Sequence, residues 1–227
     1  MLASRSLQKN KPVRRHRLPD VEMETRADRR DEELCKVLLT TGSLRFGTFK
    51  LASGMLSPYY VDLRLIPSDP EALRRTVGFY SSILEKGILK RVDRIAGVPT
   101  AGIAYGAILS FSLSKPFMYV RKEVKEHGRG RRIEGILRPG DRVLVLDDVV
   151  TTGTNLVDAV DAIRSEGGRV EDAIALLDRQ QGGEANLKKI GVRLHSFSTM
   201  HRIADLLLEQ GTIDERQHRE ILNQIAT

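Results

Sequence analysis

The run VLVL, residues 143–146, limits the possible folds more than any other feature of this sequence. It has no polar residue at alternate positions, so a strand formed by it must be covered on both faces. The chain then passes through DDVVTTGTN into an apolar spacing typical of an amphipathic helix. A doubly covered strand that leads directly into a helix indicates a parallel sheet with helices on both faces.

The rest of the chain continues this alternation. The apolar runs DRIAGV, PFMYV, VEDAIALLDR and VRLHSFS predict further strands, and residues 203–222 predict C-terminal helices. Towards the N-terminus, RADRRDEELCKVLLTTG predicts a helix ended by Gly42, followed by two extended pieces. Another helix is predicted to begin at SDPEALRR, with Ser68 as its cap and Pro70 in its first turn. We therefore predict an α/β fold with a central, mostly parallel sheet.

Composition and charge favour a single domain over residues 31–227 in a reducing, cytoplasmic compartment. Residues 1–30 carry +5 of the net charge of +7, so the remainder is nearly balanced and gives no reason to expect nucleic-acid binding. We interpret residues 1–30 as a disordered extension; weak RNA binding and a misassigned start upstream of Met23 are alternatives. The one cysteine, Cys35, lies in an apolar helical pattern and is interpreted as a buried thiol. No apolar run approaches the roughly 20 residues of a membrane helix, and a signal-peptide core is lacking.

The segment after the apolar strand has the composition of a phosphate site. Thr151, Thr152 and Thr154 offer hydroxyls, and Gly153 allows a tight turn whose amides can point at one group of oxygens. Asn155 lies where the next helix begins, and a helix N-terminus attracts anions. No lysine follows the glycine, so the segment is not a Walker loop, and G-x-G-x-x-G is absent. A site of monophosphate size is predicted.

Two carboxylates, Asp147 and Asp148, directly precede this phosphate site. Carboxylates accept hydrogen bonds from vicinal hydroxyls, as the acidic residue of ribose-binding folds does. The expected ligand is therefore a ribose 5-phosphate, with its phosphate on the turn and its 2′- and 3′-hydroxyls on the acids. The alternative is a solvated strand end followed by an ordinary turn.

VLVLDDVVTTGT resembles the phosphoribosyl pyrophosphate (PRPP) signature of type I phosphoribosyltransferases. Three further segments resemble orotate phosphoribosyltransferases in particular. FKLASGMLSPYYVDLR (49–64) is similar to the hood over the base, YVRKEVKEHGRGRRIEG (119–135) to the mobile catalytic loop, and LLDRQ (176–180) to the element that supplies an arginine to orotate. The resemblance implies the type I phosphoribosyltransferase fold, with a hood over about residues 31–65 and a mobile loop over about residues 121–135.

The resemblance also implies a reaction and a set of site residues. Orotate displaces pyrophosphate from PRPP to give orotidine 5′-monophosphate, with Mg²⁺ held mainly by the substrate's own oxygens. The family's loop reaches into the neighbouring subunit, which implies a homodimer. Lys125 and His127 would be catalytic, and Thr151, Arg179, Tyr59 and Tyr60 would bind orotate. The residues that would bind PRPP are Arg121, Lys122, Lys125, His127, Asp147, Asp148, Val149, Val150, Thr151, Thr152, Gly153, Thr154 and Asn155.

The sequence departs from the family pattern at two lysines. Ala52 stands where some bacterial relatives carry a base-side lysine, for which Lys50 is a possible substitute. Ala101, in VPTAG, stands where those relatives carry a lysine in the pyrophosphate loop. Two alternative functions therefore remain open at this point: a PRPP-sensing transcriptional regulator, and a phosphoribosyltransferase for another base. The motifs do not explain the C-terminal segment.

Overall fold

The computed structural model describes residues 26–50, 54, 56–84, 87–122 and 132–225. Most of the predicted N-terminal extension therefore lies outside the described residues. So do Ala52 and the part of the mobile loop that contains Lys125 and His127. The described residues form a small N-terminal unit, made of helix α1 and the antiparallel strands β1 and β2, beside a larger α/β unit.

A six-stranded sheet forms the centre of the molecule, with strand order β5-β4-β3-β6-β7-β8. The five strands from β4 to β8 along this order are parallel, and β5 pairs antiparallel with β4 at the edge. The predicted α/β architecture is thus confirmed. The strands are β1 Leu44–Lys50, β2 Leu56–Val61, β3 Arg94–Gly97, β4 Phe117–Val120, β5 Ile133–Glu134, β6 Arg142–Val150, β7 Arg169–Asp178 and β8 Arg193–Thr199. The helices are α1 Arg26–Thr40, α2 Pro70–Leu84, α3 Ala101–Ser112, α4 Thr154–Ser165, α5 Gly183–Lys189, α6 Met200–Glu209 and α7 Glu215–Ile225, with 3₁₀ helices at Leu63–Ser68 and Ile88–Arg91.

Strand β6 is buried on both faces, as its unbroken apolar run predicts. Leu144 and Leu146 pack into a core cluster shared with α1, α2, α3 and α6. Val143 and Val145 pack into a second cluster, on the other face, with apolar residues of α4. Because β6 lies in the middle of the sheet, the turn that follows it opens at the carboxyl edge, where ligands bind in folds of this kind.

The N-terminal helix confirms the predictions made for its own segment. Cys35 is buried, and burial raises the pKa of its thiol to about 12, so it is a structural thiol as predicted. The helix spans Arg26–Thr40, so it begins at the first residue of the segment RADRRDEELCKVLLTTG that predicts it. It overlaps residues 26–30, which we also assigned to the extension, and the amphipathic pattern of the segment explains this overlap.

The cap of α2 is also corrected, from Ser68 to its neighbour. Ser68 is the last residue of the preceding 3₁₀ helix. The Asp69 carboxylate instead accepts hydrogen bonds from the backbone N–H groups of Glu71 and Ala72, at 2.9 and 3.0 Å. Pro70 occupies the first position of the helix, where a missing N–H has no cost. None of the helices in the described part of the chain is long and apolar enough to cross a membrane.

Candidate active site

The turn between β6 and α4 forms a cradle at the carboxyl edge of the sheet. Gly153 adopts a left-handed conformation, with φ of 75°, immediately before the first residue of α4. The hydroxyl oxygens of Thr152 and Thr154 are exposed and lie 2.9 Å apart. The cavity has a volume of about 180 Å³ and is lined by Asp147 and the residues from Val149 to Leu156. Hydroxyls, a tight turn and a helix N-terminus thus meet at one small polar cavity.

Gly183, which the sequence motifs do not include, lies directly behind the cradle. A Cβ atom at Gly183 would lie 2.3 Å from Val150 Cγ1 and 2.7 Å from the Thr151 carbonyl oxygen. Asn186, one turn along α5, donates a hydrogen bond from Nδ2 to the Thr152 carbonyl oxygen at 3.0 Å. The start of α5 therefore sets the shape of the cradle without lining it. The GG pair at 182–183 signals a turn in the sequence, but not the surface against which it packs.

The two carboxylates lie in β6, shortly before the turn, and Asp147 also lines the cradle. Asp147 is buried, and its carbonyl oxygen accepts a hydrogen bond from the Tyr80 hydroxyl at 2.9 Å. Burial raises the pKa of the Asp147 carboxyl well above its ordinary value, and the neighbouring charge of Asp148 raises it further. Burial also raises the pKa of Asp148. Positive charge placed beside this pair would stabilise its ionised form, and Lys122 already acts on Asp147 in that direction.

Arg179 follows the end of β7 and adjoins the cradle through the backbone. Its N–H donates to the Val150 carbonyl oxygen at 2.8 Å, next to the first threonine of the turn. Its Nε donates to the Tyr59 hydroxyl at 3.0 Å, and the guanidinium carbon lies 4.5 Å from the centre of the Tyr59 ring. Arg179 is only 6% exposed, and its Nη2 is buried without a hydrogen-bond partner among the described residues. A buried, unpaired guanidinium donor is suited to a carboxylate or carbonyl edge.

The structure separates the two tyrosines assigned to the base. Tyr59 is fully buried, and its ring and hydroxyl are both engaged with Arg179. Successive strand residues point to opposite faces, so Tyr60 turns away and packs against Phe49, with ring centres 5.6 Å apart. Arg45 lies over the Tyr60 ring at 5.5 Å. Two adjacent rings on opposite faces of β2 do not present a common surface to one planar base, so Tyr59 is placed as a holder of Arg179.

The base of the predicted mobile loop is anchored at both ends. Arg121 forms an ion pair with Glu134 at 3.1 Å, across the antiparallel strands β4 and β5. Arg132 forms an ion pair with Asp158 on α4, and its backbone N–H donates to Glu166 at 3.2 Å. These contacts fix the loop ends beside the helix that begins at the cradle.

Some of the remaining predicted site residues are described by the structure, and others are not. Lys122 is exposed at the start of the loop, whereas Lys125 and His127 lie outside the described residues. Lys50 is exposed and opposes Leu56 in the β1–β2 ladder. Ala101 is the first residue of α3, after a cis peptide between Pro99 and Thr100. Among the described residues, no group of three or more His, Cys, Asp or Glu side chains could hold a metal ion.

Comparison with known proteins assigns the chain to a family. It matches the phosphoribosyl transferase domain family over residues 70–195. The orotate phosphoribosyltransferase of Pyrobaculum islandicum is 45% identical over 189 residues, which cover 83% of this chain and 95% of that protein. The crystal structure of orotate phosphoribosyltransferase from Aeropyrum pernix superposes with a TM-score of 0.71 at 37% identity, over 80% of this chain and 99% of that chain.

A longer protein is also similar. The structure of Leishmania donovani UMP synthase superposes with a TM-score of 0.76 at 33% identity, over 86% of this chain, which spans 42% of that one. The order of elements, the cradle after β6 and these similarities agree with one another. The chain has the type I phosphoribosyltransferase fold and belongs to the orotate phosphoribosyltransferase family.

Proposed function

We propose that this chain transfers the 5-phosphoribosyl group from PRPP to orotate, giving orotidine 5′-monophosphate and pyrophosphate. The observation that carries the proposal is the backbone hydrogen bond from Arg179 to Val150. This bond places a buried cation directly beside a cradle of phosphate size, and one donor of that cation has no hydrogen-bond partner in the described part of the chain. A ligand that fills the cradle and also reaches Arg179 needs a phosphate group and an anionic or carbonyl edge, and orotidine 5′-monophosphate has both.

The cradle is the proposed site of the 5-phosphate. Thr152 and Thr154 donate from their hydroxyls, and backbone N–H groups from Thr151 to Asn155 surround the phosphate oxygens at the start of α4. Val149 and Val150 shape the adjacent wall. The sugar then extends back along the turn, so that its hydroxyls reach Asp147 and Asp148.

The carboxylates also act on the reaction itself. Bond formation between the orotate nitrogen and the anomeric carbon accompanies breakage of the bond from that carbon to pyrophosphate oxygen, and positive charge develops on the ribose. Asp147 and Asp148 provide fixed negative charge beside this ribose, which stabilises the transition state more than the ground state. Because burial already raises the pKa of both carboxyls, ionisation is favoured most when this positive charge is present.

The base end is proposed to select orotate through Arg179. Its Nη2 donates to the orotate carboxylate or a ring carbonyl, while Tyr59 fixes the guanidinium from the other side. Thr151 lines the cradle and directly follows Val150, whose carbonyl oxygen accepts from the Arg179 N–H, and it is proposed to contact the same base. Tyr60 contributes to the hood from its outer face.

The mobile loop is proposed to close over pyrophosphate. Arg121, Lys122, Lys125 and His127 would contact this leaving group, and Lys125 would provide the main catalytic charge. As in the family, the loop would act on the neighbouring subunit's site in a homodimer. The enzyme would work in the cytoplasm.

Mg²⁺ is proposed as the cofactor, bound mainly through PRPP oxygens. The available donors fit this arrangement, because among the described residues that line the cradle only Asp147 is a carboxylate, and Mg²⁺ prefers oxygen ligands with few protein contacts. When bound, the ion offsets negative charge on pyrophosphate.

The decisive test is the loss of orotate absorbance on addition of PRPP and Mg²⁺, measured beside the Lys125→Ala variant. We expect turnover in the wild type and a severe loss of kcat in the variant. Turnover of uracil or a purine instead of orotate would overturn the base assignment, and PRPP binding without turnover of any base would favour the regulator. Mixing Lys125→Ala with an Asp147→Asn, Asp148→Asn variant tests the shared site, since activity should reappear if subunits exchange.

A further inference from the structure

We propose that Gln224, on the C-terminal helix α7, is a positioning residue for base recognition. Its side-chain amide bridges two groups of β2: Nε2 donates to the Leu56 carbonyl oxygen at 2.6 Å, and Oε1 lies 2.8 Å from the Ser57 hydroxyl. Its own carbonyl oxygen accepts from Gln181 Nε2 at 3.2 Å. One residue of α7 thus touches both the hood strand and the loop that carries the base-side arginine.

A continuous path runs from Gln224 to Arg179. The buried Ser57 hydroxyl lies 2.7 Å from the Tyr59 carbonyl oxygen, and its single proton serves either this oxygen or Gln224. The Tyr59 side chain then holds Arg179 Nε at 3.0 Å. Because Ser57, Tyr59 and Arg179 are all buried, a displaced member has little freedom to find another partner.

Helix α7 is itself fixed to the core, so it can act as a brace. Ile221 is fully buried among the residues of the main core cluster. His218 Nε2 lies 2.8 Å from Asp205 Oδ1, which joins α7 to α6. Strands β1 and β2 form a separate two-stranded sheet, and such hairpins are marginally stable alone. The brace therefore acts on a part of the structure that needs support.

Loss of the Gln224 bridge should therefore weaken the binding of orotate more than that of PRPP. Loss of the Gln224 bridge should let β2 shift and disorder the Tyr59–Arg179 pair, while the cradle after β6 keeps its shape. The inference rests on the proposed role of Arg179 towards orotate. An Arg179→Ala variant separates the two ideas: if its KM for orotate is unchanged, the proposed base site fails, not merely the brace.

The experiment compares Gln224→Met, which keeps side-chain length but loses the amide, with Arg219→Met on the same helix. Arg219 forms an exposed ion pair with Glu215 of its own helix, so it controls for changes in α7. We expect Gln224→Met to raise the KM for orotate about threefold to tenfold, the scale of one or two neutral hydrogen bonds, with the KM for PRPP changed less than about twofold. Arg219→Met should change neither constant.

Tyr59→Phe tests the same path from its other end, and it keeps the inference testable if Gln224→Met folds poorly. In the double variant, the KM for orotate should rise no further than in Tyr59→Phe alone, because both changes break one path. An unchanged KM for orotate in Gln224→Met would overturn the inference. Equal increases in both KM values would also overturn it, since they would indicate general loosening. Additive effects in the double variant would exclude the route through Tyr59.

Discussion

The two ends of the site are built in different ways. The proposed phosphoribosyl end is one continuous segment, Asp147 to Asn155, which runs from the end of a central strand into a helix. The proposed base end brings together side chains that are far apart in the chain: Arg179 and Tyr59 are 120 positions apart, and Ser57 and Gln224 are 167 apart. One end is fixed by local backbone geometry, and the other by packing between elements.

This difference has a functional consequence. A contiguous strand, turn and helix keeps its shape as long as the central sheet is intact. The base end depends on a hairpin that is outside that sheet and on a helix near the C-terminal end of the described chain. Remote substitutions should therefore alter recognition of the base more readily than recognition of the sugar phosphate.

The largest expected effect comes from a change that fills the space behind the cradle. Gly183→Val would place its Cβ within 2.3 Å of Val150 Cγ1, so the turn from Thr151 to Gly153 must move. We expect the Kd for PRPP, measured by calorimetry with Mg²⁺, to rise by about a hundredfold.

Gly78→Ala is the control for this substitution. Gly78 is exposed on α2, and a Cβ there meets nothing within 4 Å. It should leave the affinity unchanged and stabilise the fold by about 0.5–1 kcal/mol. Unchanged PRPP affinity in Gly183→Val would show that the start of α5 does not shape the cradle.

A smaller effect is expected when one hydroxyl of the cradle is removed. Thr152→Val keeps the side-chain shape and should raise the KM for PRPP about tenfold, because a hydrogen bond to a charged phosphate is lost. The KM for orotate should stay nearly constant. Thr40→Val on α1 is the matched control, and steady-state kinetics with each substrate varied in turn provide the measurement. A selective rise in the KM for orotate would contradict the assignment of the two ends.

Asp147→Asn should weaken PRPP binding but stabilise the free protein. The pKa of this buried carboxyl is raised, so between its ordinary and its raised value the folded protein holds a proton that the unfolded chain has released. The free energy of unfolding of the wild type should therefore decrease as pH rises through this window. Asn does not ionise, so the advantage of the variant should widen with pH.

Urea denaturation at a series of pH values measures this difference, with Asp161→Asn, an exposed position on α4, as the control. An advantage of Asp147→Asn that narrows as pH rises would show that the folded state favours the ionised carboxylate.

The smallest expected effect is a difference in hydrogen exchange between the backbone amides of two strands. Amide hydrogens of β2 should exchange faster than those of β6, because β1 and β2 form a separate two-stranded sheet. Orotate should slow exchange mainly in β2, and PRPP mainly in the turn from Thr151 to Asn155. Hydrogen exchange measured by mass spectrometry would detect this pattern. Equal protection of β2 and β6 in the free protein would contradict the proposed contrast in stability.

The sequence predicts the phosphate cradle better than the base end, because the cradle is one continuous segment and the base end joins residues that are distant in the chain. The cradle could be predicted because an unbroken apolar run, two acids and a Thr/Gly turn follow one another, and the lack of polar residues in the run already implies burial on both faces. The contact between Tyr59 and Arg179 could not be predicted, since Tyr59 is locally an ordinary strand residue and Arg179 an ordinary residue after a strand end. Resemblance named both residues but assigned both tyrosines to the base.

The cap of α2 and the packing of α7 could not be predicted from the sequence. Ser68 and Asp69 are both good caps, and only the 3₁₀ helix that ends at Ser68 decides between them. The pattern of residues 203–222 predicts C-terminal helices but not what they pack against, and the structure places α7 on the core and the hood. That contact depends on tertiary packing, which no local pattern specifies.

The two KM values of Arg179→Ala test the division of the site most directly. If Arg179 recognises the base, the KM for orotate should rise about tenfold to a hundredfold, the cost of a lost charge-assisted hydrogen bond, with the KM for PRPP within about twofold of the wild type. An unchanged KM for orotate, or an equal rise in the KM for PRPP, would contradict the proposal that Arg179 recognises the base separately from the sugar phosphate.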